Sequence, residues 1–340
     1  MSGEDFSALL KRVASGETLD EESSARAFDA IMAGGVSETQ MGAFLTALAV
    51  RKPSVAEITG AVKAMRAAMM TVQAPTGALD LFGTGGDGHA TLNISSAASF
   101  VAAACGVPIA KHGNRNMSSR TGAADVLEAL GVKIEVSPEA ARVCIEETGV
   151  CFLFAQGFHP AMRHVTPVRR ALGFRTIFNL LGPLSNPARV KRQLLGVYAL
   201  EWMEPVADVL RTLGAEKAWV VHGNDGLDEL SISDITHVAI LDRGRVVVTT
   251  VAPEDAGLPR WPLAAVKGGE APQNAAALAR LLDGERGAYR DIVLLNTAAA
   301  LMVADKVENL REGAMLAAKA IDEGAAKRVL EKLIAVSNSQ

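Results

Sequence analysis

Residues 81–96, LFGTGGDGHATLNISS, place Gly83, Gly85, Gly86 and Gly88 directly after a short apolar run and just before a helical pattern. Glycines between a strand and a helix let backbone amides close on an anion at the helix N-terminus. A side chain at Gly85 or Gly86 would hold phosphate oxygens away from those amides. Thr91, Asn93, Ser95 and Ser96 add hydroxyl and amide groups able to hold phosphate or metal. No lysine follows as in G-x-x-x-x-G-K-[ST], which excludes a Walker loop. Gly83, Gly85 and Gly88 do fall at G-x-G-x-x-G intervals, but the helical pattern starts only near Asn93, so the last glycine does not open a helix as a Rossmann fingerprint requires. A tight turn with ordinary helix caps is the plain alternative.

Two further segments follow apolar runs. KHGNRNMSSR, residues 111–120, offers the cations Lys111 and Arg115, an open approach at Gly113, and hydrogen-bonding groups on Asn114, Ser118 and Ser119. That set suits a phosphate or diphosphate, or else a solvated polar connection. HGNDGLDELS, residues 222–231, carries Asp225, Asp228 and Glu229. Carboxylates facing a diphosphate repel it unless Mg²⁺ bridges the two; the alternative is an acidic helix start favoured by the macrodipole. Arg163, Arg169, Arg170 and Arg175 form a cationic cluster, and a guanidinium can grip a carboxylate bidentately. The histidines are scattered without H-E-x-x-H spacing, and no serine lies in G-x-S-x-G.

The surrounding pattern must position these segments. Residues 1 to about 70 show helical periodicity, with capping boxes expected at Thr18/Glu21, Ser37/Gln40 and Ser54/Glu57 and a helix stop at Gly34-Gly35. From about residue 78, strands at ALDLFG, VPIAKHG, VCFLFAQ, QLLGVYAL and KAWVVHG alternate with helices. THVAILDRGRVVVTTV reads as a hairpin turning near Arg243-Gly244. Ser137 caps a helix with Pro138 at its first position, closed by Gly149. Beyond Pro272 the chain is mostly helical. The expectation is a small all-helical N-terminal domain, residues 1–75, and a larger α/β domain, residues 76–340, with a mainly parallel sheet covered by helices. Residues 158–188 make a poor strand, and the stretch from about 160 to 188 is expected to return to the helical domain.

The chain has 340 residues, 49% hydrophobic and 21% charged, with a net charge of −4. That is a globular composition without a global basic field to recruit nucleic acid or an anionic membrane. Cys105, Cys144 and Cys151 form no C-x-x-C pair and read as reduced core thiols. Acidic residues precede any apolar run at the N-terminus, and no long uninterrupted apolar stretch occurs. A cytoplasmic location without a membrane span is expected.

Taken in order, GTGGDG, TLNISS, KHGNR, SSRTGAADVLEALG, HPAMRHVTPVRRALGFRTIFNLLGPLSNP and DGLDELS resemble one family over almost the whole chain, the anthranilate phosphoribosyltransferases. The resemblance implies a two-domain fold, a homodimer through the helical domain, and a step of tryptophan biosynthesis. In that step the 5-phosphoribosyl group passes from phosphoribosyl diphosphate (PRPP) to the amine of anthranilate, with Mg²⁺, two ions per monomer. On matching positions, Gly83, Gly86, Asp87, Thr91, Asn93, Ile94, Ser95 and Ser96 look like part of the PRPP site. So do Lys111, His112, Gly113, Asn114, Arg115, Asn116, Met117, Ser118, Ser119 and Ala123. Ser95, Asp228 and Glu229 look like the magnesium ligands; Gly83, Asn114 and Arg169 look like the anthranilate contacts, with Arg169 facing its carboxylate. Ser96 stands where threonine is frequent, Asn116-Met117 replace smaller residues, and Arg120 replaces a common lysine. No residue is assigned as general acid or base, since an aromatic amine is already neutral at pH 7. The adjacent Asp228 and Glu229 suit a metal better than a glycosidase-like pair. Two rival readings stay open here: a non-catalytic nucleic-acid-binding relative of the fold, and a pyrimidine nucleoside phosphorylase.

Overall fold

The computed structural model describes residues 3–115 and 121–340. Asn116, Met117, Ser118 and Ser119 therefore lie outside the described residues. The chain begins with helices α1 (Gly3–Ala14), α2 (Glu21–Met32), α3 (Glu38–Arg51) and α4 (Val55–Ala67). Apolar side chains at helical spacing gather Phe6, Phe28 and Phe44 into one cluster, with ring centroids 5.3 and 5.9 Å apart. Gly60 lets α4 cross α2 closely, since a Cβ there would lie 2.3 Å from the Glu21 carbonyl.

The expected capping boxes fare differently. Ser54 and Glu57 form a complete box. Ser37 accepts the Gln40 amide at 3.3 Å, but the Gln40 side chain meets the Ser37 hydroxyl instead of the cap amide. The box at Thr18 does not form. Asp20 caps α2, accepting the Ser23 amide at 2.7 Å, because a carboxylate one residue before the first turn serves the helix dipole better than a hydroxyl placed further out. Gly34 takes the expected left-handed conformation after α2.

The remaining chain alternates strands and helices. It runs β1 (Leu79–Gly83), α5 (Ile94–Ala104), β2 (Ile109–Gly113), α6 (Ala123–Ala129), α7 (Pro138–Thr148), β3 (Val150–Phe154) and the short α8 (Ala155–Phe158). Then follow α9 (Thr166–Leu172), α10 (Phe178–Leu184), β4 (Arg192–Gly196), α11 (Met203–Thr212), β5 (Lys217–Gly223), β6 (Thr236–Asp242) and β7 (Arg245–Val251). Helices α12 (Ala271–Leu282), α13 (Ala288–Val303), α14 (Leu310–Asp322) and α15 (Ala325–Ser339) close the fold. The seven strands form one sheet in the order β3-β2-β1-β4-β5-β6-β7. β1 to β5 are parallel and β6 and β7 antiparallel, so the α/β reading and the appended hairpin are both borne out.

Strand alternation divides the core. Leu194, Trp219, Val221 and Val238 face a layer built mainly from α5, α7, α13 and α15. Leu195, Ala218, Val220, Ala239 and Leu241 face α10 and α11, and share one apolar cluster with α1–α4. Val165, Val168, Phe178 and Leu181 belong to that cluster, and the Phe178 ring lies 5.7 Å from Phe28.

Strand order reverses between β1 and β4, because β1 to β3 step one way and β4 to β6 the other. In an open parallel sheet, the crevice beyond the carboxyl ends at such a reversal is the ligand position.

Candidate active site

Gly83 and Gly196 end β1 and β4 side by side, paired in register. Their missing side chains make a seat for Asp228. A Cβ at Gly83 would lie 2.6 Å from Asp228 Oδ2, and one at Gly196 only 1.5 Å from the Asp228 carbonyl oxygen. Seated there, Asp228 Oδ2 accepts the Gly85 amide at 2.6 Å. Thr84 completes the join: its hydroxyl accepts the Tyr198 amide at 2.9 Å.

Gly85, Gly86 and Gly88 all have φ between +70° and +85°. A Cβ on Gly85 or Gly88 would meet no protein atom within 4 Å, so within the protein it is the left-handed backbone that demands glycine at those two positions. Asp87 Oδ1 accepts the His89 amide at 3.0 Å, tightening the turn. Arg175 donates to the Gly86 carbonyl and stacks over the Tyr198 ring, 4.2 Å from its centroid. Thr91 forms an isolated bridge with Lys267.

Helix α5 starts behind this loop, with Asn93 as its N-cap and Ile94 as its first residue. The Asn93 side chain makes no cap bond. It accepts from Asn274 at 3.0 Å, while Tyr289 donates to the Asn93 carbonyl at 3.1 Å. Ser95 Oγ accepts from Lys111 Nζ at 3.1 Å, and Ser95 pulls the Glu229 pKa down. The Ser96 hydroxyl is buried without a partner among the described residues.

The KHGNR segment splits in two. Lys111, His112 and Gly113 are buried residues of β2, not loop residues. Lys111 Nζ also donates to the Leu81 carbonyl at 2.6 Å. The His112 ring turns to the opposite face, 3.1 Å from the Gly182 carbonyl and 5.1 Å from the His159 ring. Burial first, then the His159 ring, holds His112 well below the usual imidazole range, so it is neutral. Gly113 lies against Phe152, whose ring a Cβ would meet at 2.5 Å. Asn114 Oδ1 accepts the Arg115 amide at 2.8 Å and Gln156 at 3.4 Å. Arg115 is engaged by acids, pairing with Asp125 at 3.1 Å and bidentately with Glu128, and lies over the Phe154 ring. Ala123 opens α6.

The acidic segment has no helix; its loop folds back over the strand ends. Asp225 shapes that loop, accepting the Ser231 hydroxyl at 2.6 Å and the Leu227 amide at 3.2 Å. Asp228 and Glu229 turn inward. Burial, reinforced by Asp87 and Glu229, holds the Asp228 carboxyl well above the usual range. Burial likewise raises Glu229 to about 7, against the pull of Lys111 and Ser95. Lys111 itself is lowered by burial and supported by Asp80, Glu229 and Asp228. Carboxylates thus outnumber Lys111, the buried cation beside them, and hard oxygen donors short of positive charge fit a divalent cation. Among the described residues no three of His, Cys, Asp and Glu gather as a closed metal nest. The set is an open one, of the kind that phosphate oxygens and water complete.

Arg169 lies on α9 with its guanidinium over the Phe178 ring, 5.7 Å from the centroid. Burial lowers its pKa, and no acidic neighbour among the described residues offsets that. Its neighbour Arg170 is exposed. Arg175, Tyr198, Asn274 and Tyr289 belong to the site's scaffold; Arg175 had a signal, as one of the clustered arginines inside a motif, while Tyr198, Asn274 and Tyr289 lie outside every motif.

Residues 7–69 match the helical bundle domain of the glycosyl transferase family, and residues 75–327 match that family's α/β domain. This is the class of protein that the fold and its switch-point crevice define. The chain is 56% identical to the anthranilate phosphoribosyltransferase of Parvibaculum lavamentivorans, covering 99% of this chain and 98% of the relative. Against that of Rhodopseudomonas palustris it is 55% identical, covering 98% of both. The Thermus thermophilus enzyme structure superposes with a TM-score of 0.92 at 45% identity, over 97% of this chain and 99% of that one. The Saccharomyces cerevisiae enzyme in complex with PRPP and Mg also gives 0.92, at 30% identity over 100% and 99%. The chain belongs to the anthranilate phosphoribosyltransferase family.

Proposed function

We propose that this chain transfers the 5-phosphoribosyl group of PRPP to the amine of anthranilate, releasing diphosphate, in tryptophan biosynthesis. The observation that carries the site assignment is the seat of Asp228 on Gly83 and Gly196, which joins the acidic loop to the glycine loop at the sheet's switch point. Yeast anthranilate phosphoribosyltransferase has been solved with PRPP and Mg and with 4-fluoroanthranilate, which supports the same substrates here.

The chain's own groups divide the work. Positive-φ glycines aim loop amides at the diphosphate, and the N-terminus of α5 adds its uncapped first turn. Gly83, Gly86, Asp87, Thr91 and Asn93–Ser96 line this side, and Lys111–Arg115 with Ala123 the β2 side; the assignment extends to Asn116–Ser119. Ser95, Asp228 and Glu229 would hold Mg²⁺, two ions per monomer. When bound, the metal supplies charge neutralisation for the leaving diphosphate. Lys111 sits behind Ser95 and tempers the acidic pair. Arg169 faces the anthranilate carboxylate, with Asn114 and Gly83 as further contacts, so that the neutral amine faces C1 of the ribose. Positioning then replaces base catalysis.

Residues 1–75 together with about 160–188 form the helical domain in this reading. That domain carries the homodimer contact, and the protein works in the cytoplasm. No described helix is long and apolar enough to cross a membrane. The test is loss of anthranilate fluorescence on mixing, with PRPP and Mg²⁺ omitted in turn.

A further inference from the structure

β1 and β2 are adjacent parallel strands, yet they pair only at Leu79 and Ile109, whereas β1 pairs with β4 and β2 with β3 along their full lengths. The ladder starts with the Leu79 amide on the Pro108 carbonyl, at 2.9 Å. In that register the next bonds would run from the Leu81 amide to the Ala110 carbonyl and from the His112 amide to the Leu81 carbonyl. Three of those four groups are instead taken by side chains. Asn186 Nδ2 donates to the Ala110 carbonyl at 2.8 Å, and Lys111 Nζ to the Leu81 carbonyl at 2.6 Å. Asp80 Oδ1 accepts the His112 amide at 3.0 Å. Asn186 Nδ2 also bridges to Asp80 Oδ2 at 2.7 Å, and Asn186 Oδ1 is fixed by the Ala188 amide at 2.7 Å. Asp80 and Asn186 are each 1% exposed and Lys111 4%.

Buried backbone groups must be paired, and the cheapest partner is usually the neighbouring strand. Using three side chains instead pairs three of these four groups while parting the two strands at the end where the site lies. We propose that Asp80 and Asn186 are positioning residues which, with Lys111, wedge β1 from β2 and so set the spacing of the glycine loop and the Asn114 segment around the diphosphate. The inference rests on the PRPP reading above.

In Asn186→Ala the Ala110 carbonyl loses its donor, so the Leu81 amide is drawn to it and the strands zip toward each other. Asp80→Asn keeps the volume and an acceptor for the His112 amide but sets an amide against Asn186, and serves if the alanine variant does not fold. The expected result for a folded variant is a KM for PRPP raised tenfold or more, with KM for anthranilate within twofold. A PRPP KM within twofold of the parent, or equal loss for both substrates, overturns the proposal. A crystal structure of either variant decides independently of turnover: narrowing between Leu81 and Ala110 supports the wedge, and an unchanged gap overturns it. Failure of the parent to consume PRPP would instead fault the functional reading.

Discussion

Asp228 Oδ2 accepts the Gly85 amide at 2.6 Å, joining segments 143 residues apart in sequence. A bond between a carboxylate and a backbone amide, largely buried, both fixes the loop and fixes the acid. Asp228→Asn keeps the shape and removes the charge. The Mg²⁺ concentration giving half-maximal turnover is expected to rise roughly tenfold or more. An unchanged metal dependence would take Asp228 out of the metal site.

Gly196 has no room for a methyl group, since its Cβ would sit 1.5 Å from the Asp228 carbonyl oxygen. Gly196→Ala must displace that loop. A loss of about 1–3 kcal/mol in urea unfolding is expected, together with weakened metal dependence of turnover. Full stability with full activity would mean the seat is not required.

Arg169 is half-buried over Phe178 and Arg170 is exposed. Arg169→Ala should raise KM for anthranilate about tenfold or more, in line with loss of a charged hydrogen bond of about 1.5–3 kcal/mol, and leave KM for PRPP near the parent value. Arg170→Ala should change neither by more than about twofold. Equal effects of the two variants would contradict the assignment.

His159 is buried, and burial lowers its pKa to about 4. The unfolded chain therefore binds the proton more readily than the folded one. The contribution is full above the unfolded value near 6.5 and is lost as pH falls from there toward 4, amounting to about 3 kcal/mol over that span. His159→Phe should flatten the acid limb of a stability-versus-pH curve measured by urea unfolding. An acid limb as steep as the parent's would show that other groups govern it.

The strands, the hairpin and the helical beginning were legible because each rests on local grammar: β-rich runs closed by glycine, caps, and period. The three candidate segments were legible for the same reason, as each spans the end of a strand and the loop beyond it. What could not be read was long-range. Asp80 and Asn186 are separated by 106 residues, and nothing near either signals the bond between them. Asn274 and Tyr289 reach Asn93 from the helical C-terminal part in the same way. Arg115 read as a free phosphate ligand because the acids that hold it, Asp125 and Glu128, come from the next helix. At Thr18 the error was local, since a capping-box pattern competed with an aspartate two residues on.

The most direct measurement is anthranilate fluorescence followed at fixed enzyme concentration with PRPP and Mg²⁺ both present, and with each left out. Decay only in the complete mixture, with diphosphate released in equal amount, is the expected result. Undiminished fluorescence in the complete mixture, or decay that does not need PRPP, would contradict phosphoribosyl transfer at this crevice.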